Sequence, residues 1–306
     1  MMLHIYAQPQ YTYIKLYCFR LLRIKLLEAC FMQRLIFFDI DGTLAYPGQE
    51  PSASTVAAIQ AARRNGHKVF ISTGRTMDSI PASIASIGFD GGIFSSGGII
   101  VLNNQIAMQH FMDEAVVEKV LSILKHYKTL YTLETADGRF NSENGKELMA
   151  QIDFTHISKE MHELTEEVLL DPTAIPLSQY TGQPIHKIAY YSTNLSIEQQ
   201  LISELDSTAK VVPYHISGFP LSTGEISDYS VNKGRALMDI CNYLGVDPDH
   251  CIAFGDSRND SEIILAAGLG VAMGNADEEL KDIANLVCDR CENDGIAKTL
   301  HDFGLV

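Results

Sequence analysis

Two carboxylates one residue apart, Asp39 and Asp41, end the apolar run Leu35-Ile36-Phe37-Phe38, and Gly42 and Thr43 follow at once. That spacing suits chemistry: one carboxylate can attack an electrophile while its neighbour's side chain or backbone faces the same cavity. Three further polar groups close apolar runs or open helices: Thr73-Gly74-Arg75, Lys233-Gly234, and Gly255-Asp256-Ser257-Arg258-Asn259-Asp260. Each also fits an ordinary role. Asp41-Gly42 reads as a plain turn, Thr73 as a helix cap, and Lys233 as a solvated helix lysine. Asp256 and Asp260 read as acids favoured at a helix start. Their order along the chain says more than any one of them.

Leu, Ile and Phe without alternation predict a strand buried on both faces, as in a parallel sheet. Asp39 and Asp41 then stand at its carboxyl end, where open α/β sheets build their sites, and Gly42 lets the chain leave sharply. From Gln33 onward strand and helix signals alternate. Ser52 and Ser54 can cap a helix running to Asn65-Gly66, a strand follows over 68–72, a helix over 77–87, and a third strand over 92–95. Such βα repeats with short loops mean a doubly wound parallel sheet.

After about Met112 the texture changes. Residues 113–128 have the spacing of an amphipathic helix, and strands over 130–134 and 139–140 flank a turn at Asp137-Gly138. A strand over 185–191, a helix from Ser196 with Gln199 placed for a capping box, and a strand over 210–212 come later. Between Glu143 and Pro184 the signal is weak. The mixture predicts an α+β insert with an antiparallel sheet. From Glu225 the first rhythm resumes, with a helix from Lys233 and strands over 250–254 and 270–273. The expected fold is α/β: a doubly wound, Rossmann-like core over 32–112 and 223–306, interrupted by a domain over 113–222.

The chain's 306 residues suit two domains, and 46% hydrophobic with 20% charged residues suit well-cored ones. A net charge of −15 argues against nucleic acid or an anionic membrane as partner. Six cysteines (Cys18, Cys30, Cys241, Cys251, Cys288 and Cys291) without a secretory signal predict reduced thiols in the cytoplasm. Cys288 and Cys291 have CxxC spacing but no second pair to complete a zinc site, so they read as incidental thiols or a redox pair. Residues 1–31 carry Lys15, Arg20, Arg23 and Lys25 against Glu28 alone, without pattern. They are expected to lie outside the fold, with Met32 as the working start. A basic amphipathic tail is the alternative.

Taken in order, the motifs resemble the haloacid dehalogenase superfamily of phosphotransferases, and within it the Cof-type phosphatases. The matching stretches are Phe38-Asp39-Ile40-Asp41-Gly42-Thr43-Leu44, Ser72-Thr73-Gly74-Arg75, Val231-Asn232-Lys233-Gly234 and Gly255-Asp256-Ser257-Arg258-Asn259-Asp260. Val271-Ala272-Met273-Gly274-Asn275-Ala276 and Asp294-Gly295-Ile296-Ala297 are similar to the Cof group as well. One departure stands out: Gly97-Gly98 occupies a place where members often have Asn-Gly.

The resemblance implies a phosphoric monoester hydrolase acting on small phosphorylated metabolites, sugar phosphates foremost, with Mg²⁺ as cofactor. Asp39 would be the nucleophile that forms an aspartyl phosphate, and Asp41 the acid and then the base. The metal would take Asp39, the backbone carbonyl of Asp41, and Asp256, with Asp260 as ligand or support. Thr73, Gly74, Lys233 and Asn259 would hold the phosphoryl group. These roles are sound chemistry, since a carboxylate approaching a phosphate dianion needs its charge screened. The insert would be a type-C2 cap that sets specificity, with Arg139, His186, Tyr214 and His215 as candidate contacts. A phosphomutase and a non-catalytic sugar-phosphate sensor are the alternatives.

Overall fold

A computed structural model describes residues 33–214 and 216–306. In chain order the strands are β1 (Leu35–Phe38), β2 (Lys68–Ser72), β3 (Gly91–Phe94), β4 (Ile99–Leu102), β5 (Gln105–Gln109), β6 (Leu130–Thr135), β7 (Gly138–Asn141), β8 (Ile175–Pro176), β9 (Ile185–Ser192), β10 (Lys210–Tyr214), β11 (Ser222–Ser227), β12 (Cys251–Gly255), β13 (Leu269–Ala272) and β14 (Leu286–Val287). The described chain forms two compact units. The first holds residues 33–71, 81–90 and 241–306, the second residues 72–80 and 91–240.

The first unit carries a parallel sheet in the order β14-β13-β12-β1-β2. All four residues of β1 are fully buried, as an unalternating apolar strand requires. Phe37 stacks on Phe70 of β2 with ring centroids 4.9 Å apart, and Phe38 on Phe254 of β12 at 5.2 Å. The strand order reverses beside β1, because β2 lies on one side and β12, far later in the chain, on the other. Such a switch point opens a crevice at the strands' carboxyl ends. The helix Ala53–Arg64 starts where the sequence places it: Ser52 accepts from the Thr55 N–H at 3.1 Å.

Two elements depart from expectation. Instead of one helix over 77–87, Met77–Ser79 makes a single 3-10 turn and Ala82–Ala85 a four-residue helix. Pro81 is the reason. It lacks an N–H and drives Ile80 to an extended conformation (φ −77°, ψ 123°), which a helix cannot continue through. Nor does β3 lead into another crossover, since it pairs antiparallel with β4, and β4 with β5. Asn103 and Asn104 form the two-residue turn, both with positive φ (51° and 60°). Asparagine tolerates that region, and hairpins favour it.

In the second unit six strands run in the order β10-β11-β9-β6-β7-β8, antiparallel except for the short β7–β8 pair. The sheet thus continues to Ser227, past residue 222. On one face Tyr131, Leu133, Ile188, Tyr190 and Ile226 pack with Val120, Leu124 and Leu201 of the helices Glu114–His126 and Ile197–Leu205. The period of two sends Glu134, Lys187 and Glu225 to the other face. Ser196 makes no capping bond, so the capping box with Gln199 does not form. Its φ and ψ (−96°, 2°) are not extended, and its N–H goes to Asn194 instead. The weakly patterned stretch contains the helices Gly145–Met149 and Lys159–Leu169 and the two-residue β8.

Candidate active site

Asp39 is the first residue beyond β1 and is buried. Its N–H reaches the Phe254 carbonyl at 3.1 Å, which ties it to the end of β12. Asp256 is the first residue beyond β12, and Asp260, fully buried, ends the 3-10 turn Arg258–Asp260. One carboxylate oxygen of Asp260 accepts from the N–H groups of Asp256 (3.1 Å) and Ser257 (3.2 Å), which fixes the side chain. Thr43 Oγ1 donates to Asp256 Oδ1 at 3.0 Å. So held, Asp39, Asp256 and Asp260 each bring an oxygen within 4.8 Å of the other two.

Three carboxylates at this distance repel one another unless a cation intervenes. An all-oxygen set with two buried members fits a hard divalent ion such as Mg²⁺. Two glycines let the backbone approach these carboxylates closely. A Cβ on Gly42 (φ +84°) would stand 2.3 Å from Asp256 Oδ2, and one on Gly255 would stand 2.5 Å from Asp260 Cγ. Asn275 braces the same turn, donating to the Gly42 carbonyl at 2.8 Å and accepting from the Cys291 N–H at 2.9 Å. Asp41 sits half-buried within that turn and bridges to Ala45 through its backbone. Asn259 follows closely, its Oδ1 accepting from Ser257 Oγ at 2.8 Å.

Thr73, Gly74 and Lys233 lie in the second unit. Thr73 is buried. Its Oγ1 accepts from the Arg75 N–H at 3.1 Å, so it stabilises a tight turn and does not cap a helix. Lys233 opens the helix Lys233–Leu244 and is fully buried, while Asn232 before it caps that helix by accepting from the Arg235 N–H at 2.8 Å. The turn at 95–98 lies against both segments. Ser96 N donates to the Thr73 carbonyl at 3.1 Å, and a Cβ on Gly97 (φ +110°) would come 2.4 Å from the Asn232 carbonyl. A side chain at 97 would meet both a strained backbone and the Asn232 carbonyl, so the position calls for glycine.

Residues the motifs did not mark also gather beside Gly74. Lys187 Nζ donates to the Gly74 carbonyl at 2.6 Å, bonds Glu225 Oε1, and stands 3.5 Å from Glu134 Oε2. Register explains the cluster: Glu134 is directly opposite Lys187, and Glu225 is its diagonal neighbour, opposite Ala189. The signal in the sequence was a charge inside each of two largely apolar strand patterns, Glu134 in β6 and Lys187 in β9. Glu225 lies in the mostly polar β11 and carried none. Burial pushes the Glu134 carboxyl up to about 7, with Lys187 opposing and Glu225 and Arg139 adding smaller effects. A carboxyl raised on folding is most stabilising while protonated, below its ordinary range, and that benefit is lost as pH rises through the folded value. The thermal midpoint should therefore fall more between pH 5 and pH 8 in the wild type than in Glu134→Gln. Parallel curves would show that Glu134 does not titrate there.

The remaining candidates play smaller parts. His186 is buried, with Nδ1 2.7 Å from the His110 carbonyl and its ring stacked on Phe111; burial lowers its pKa and keeps it neutral. Arg139 pairs with Asp171 (3.2 Å) and Thr173 (2.8 Å). Tyr214 has its hydroxyl pKa pushed up, first by burial and then by the Glu225 carboxylate. His215 and residues 1–31 lie outside the described residues. Cys288 and Cys291 are free, and burial raises their thiols to about 12 and about 11. Neither is a thiolate at neutral pH.

The model of the haloacid dehalogenase-like hydrolases matches residues 36–300. The chain belongs to that family. It is a phosphoric monoester hydrolase of the Cof type, as the motifs implied. A putative phosphatase of Bacillus subtilis, YkrA, is 28% identical over 273 residues, spanning 89% of this chain and 98% of the relative. The 5-amino-6-(5-phospho-D-ribitylamino)uracil phosphatase YitU of the same organism is also 28% identical, over 88% of this chain and 97% of its own. Among solved structures, BT1666 of Bacteroides thetaiotaomicron superposes with a TM-score of 0.73, covering 90% of this chain and 97% of that one at 23% identity. This last likeness shows a shared fold. Among the described residues no helix is long and apolar enough to cross a membrane.

Proposed function

We propose that this phosphatase is Mg²⁺-dependent and hydrolyses small phosphorylated metabolites, sugar phosphates foremost, through an aspartyl phosphate. The observation that carries the reading is the Asp39, Asp256 and Asp260 cluster, set at the carboxyl ends of two adjacent buried strands. Asp39 Oδ attacks phosphorus as the bond to the leaving oxygen breaks, and Asp41 gives that oxygen a proton. Water then attacks the phosphoenzyme, Asp41 takes its proton, and phosphate and the Asp39 carboxylate are released. Thr73, the Gly74 turn, Lys233 and Asn259 hold the phosphoryl oxygens, where positioning and charge do most of the work. Asp39, the Asp41 carbonyl, Asp256 and Asp260 would hold the metal, which screens the nucleophile from the phosphate dianion.

YitU is named for a phosphorylated ribityl compound, which supports a small polyol- or sugar-like leaving group. The insert over 113–222, taken as a type-C2 cap, would choose among such groups. The four described cysteines are free, in keeping with a reducing cytoplasm. A panel of phosphorylated metabolites, assayed for phosphate release with Mg²⁺ and with excess chelator, tests the reading. Release from sugar phosphates that stops with chelator and returns with Mg²⁺ is expected. Chelator-insensitive release, or an isomeric sugar phosphate formed without free phosphate, would overturn it.

A further inference from the structure

The geometry points to Lys187, clamped between Glu134 and Glu225, as a positioning residue that sets the phosphate-binding turn at Thr73–Arg75. This rests on the reading above, in which that turn holds the phosphoryl group. The three carbonyls of the turn are each claimed by a donor in the second unit. Ser96 N takes that of Thr73 (3.1 Å), Lys187 Nζ that of Gly74 (2.6 Å), and Ser95 N that of Arg75 (2.9 Å). A trans peptide points its C=O and N–H in opposite directions. Fixing the Thr73 and Gly74 carbonyls therefore fixes where the Gly74 and Arg75 N–H groups point, and the latter closes onto Thr73 Oγ1 at 3.1 Å.

The donors are themselves held by one ion cluster. Ser95 Oγ donates to Glu134 Oε2 at 3.4 Å and Ser96 Oγ to Glu225 Oε2 at 2.9 Å, and both carboxylates lie against the Lys187 ammonium. Lys187 is 1% exposed, and its three N–H groups face three acceptors: the Gly74 carbonyl, Glu225 and Glu134. An ammonium with every donor used has none for a substrate, so its action runs through the turn. Ser95 and Ser96 both have positive φ (48° and 57°), a conformation that costs non-glycine residues about 1 kcal/mol or more each. The cluster supplies the contacts that hold it. Because the same turn touches Asn232, ahead of Lys233, the network reaches both segments proposed to grip phosphate.

The test uses the full chain and inorganic phosphate as a competitive inhibitor. Lys187→Met leaves two buried carboxylates facing each other, so a neutral variant accompanies it: Glu134→Gln, Lys187→Met and Glu225→Gln together. Replacing a whole buried charge cluster is often tolerated where removing one member is not. In the neutral variant we expect phosphate affinity and kcat/KM to fall together by about 10²-fold, the loss typical of a misplacement near 1 Å. Mg²⁺ affinity should not change, since its proposed ligands lie in the first unit. Thr73→Ala is measured alongside. If Thr73→Ala weakens phosphate binding and the folded neutral variant does not, Lys187 has no positioning role. If Thr73→Ala leaves phosphate binding intact, the phosphate-binding reading itself fails and takes the inference with it.

Discussion

Asp39→Asn is expected to abolish turnover, by roughly four orders of magnitude or more, while the protein stays folded. The amide matches the carboxylate in volume, and the backbone bond that anchors residue 39, its N–H to Phe254 O at 3.1 Å, is untouched. What disappears is the proposed nucleophile, together with one of three carboxylates gathered within 4.8 Å. A folded variant with near-normal phosphate release would remove Asp39 from its role. Asp41→Asn should also be severe, but with a different signature. It spares the proposed nucleophile and removes the group proposed to activate water, so a quenched reaction should contain phosphoenzyme. An Asp41→Asn enzyme with wild-type rate and no trapped intermediate would end the acid–base assignment.

The core of this molecule was legible because its signals are local. An unalternating apolar run implies a strand buried on both faces, and the acids at the ends of β1 and β12 are contiguous strings in the sequence. Their meeting follows once those strands pair, as they do from Leu35 with Cys251 to Phe38 with Phe254. Two errors had their cause in plain view. Pro81 interrupts the helix expected over 77–87, and Asn103-Asn104 between apolar runs is a hairpin turn. Over 77–87 helical spacing concealed a turn signal that should have prevailed, and at Asn103-Asn104 the turn signal alone marks the hairpin.

The Glu134–Lys187–Glu225 cluster was hidden for a different reason. It depends on which residues of three strands, far apart in the chain, come opposite one another, and a slip of one residue would turn Lys187 to the helix-covered face. No local pattern encodes that register. Between Glu143 and Pro184 the difficulty is exposure. The helix Lys159–Leu169 buries only Thr165 and Leu169, although Met161, Leu164, Val168 and Leu169 do recur at helical spacing behind the Ser158 cap. This one element was legible, and the short, exposed pieces around it were not.

Gly42→Ala should cripple metal binding through a single methyl group. Its Cβ would stand 2.3 Å from Asp256 Oδ2 and 2.7 Å from Asp256 Cγ, well inside van der Waals contact. The glycine's φ of +84° also disfavours any side chain, so two effects combine: backbone strain and displacement of a proposed ligand. Gly48 separates them. Its φ is +76°, yet a Cβ there meets nothing within 4 Å, so Gly48→Ala carries the strain without the collision. Both variants should lose about 1 kcal/mol or more of stability. Only Gly42→Ala should also weaken Mg²⁺ binding, by about tenfold or more, because Asp256 must swing away from Asp39 and Asp260. Raising Mg²⁺ should then restore part of its activity, whereas Gly48→Ala should need no more Mg²⁺ than the wild type. Calorimetric titration of Mg²⁺ into all three proteins decides the matter. Equal affinities for the wild type and Gly42→Ala would mean that Asp256 does not hold the metal in the place its neighbours fix for it.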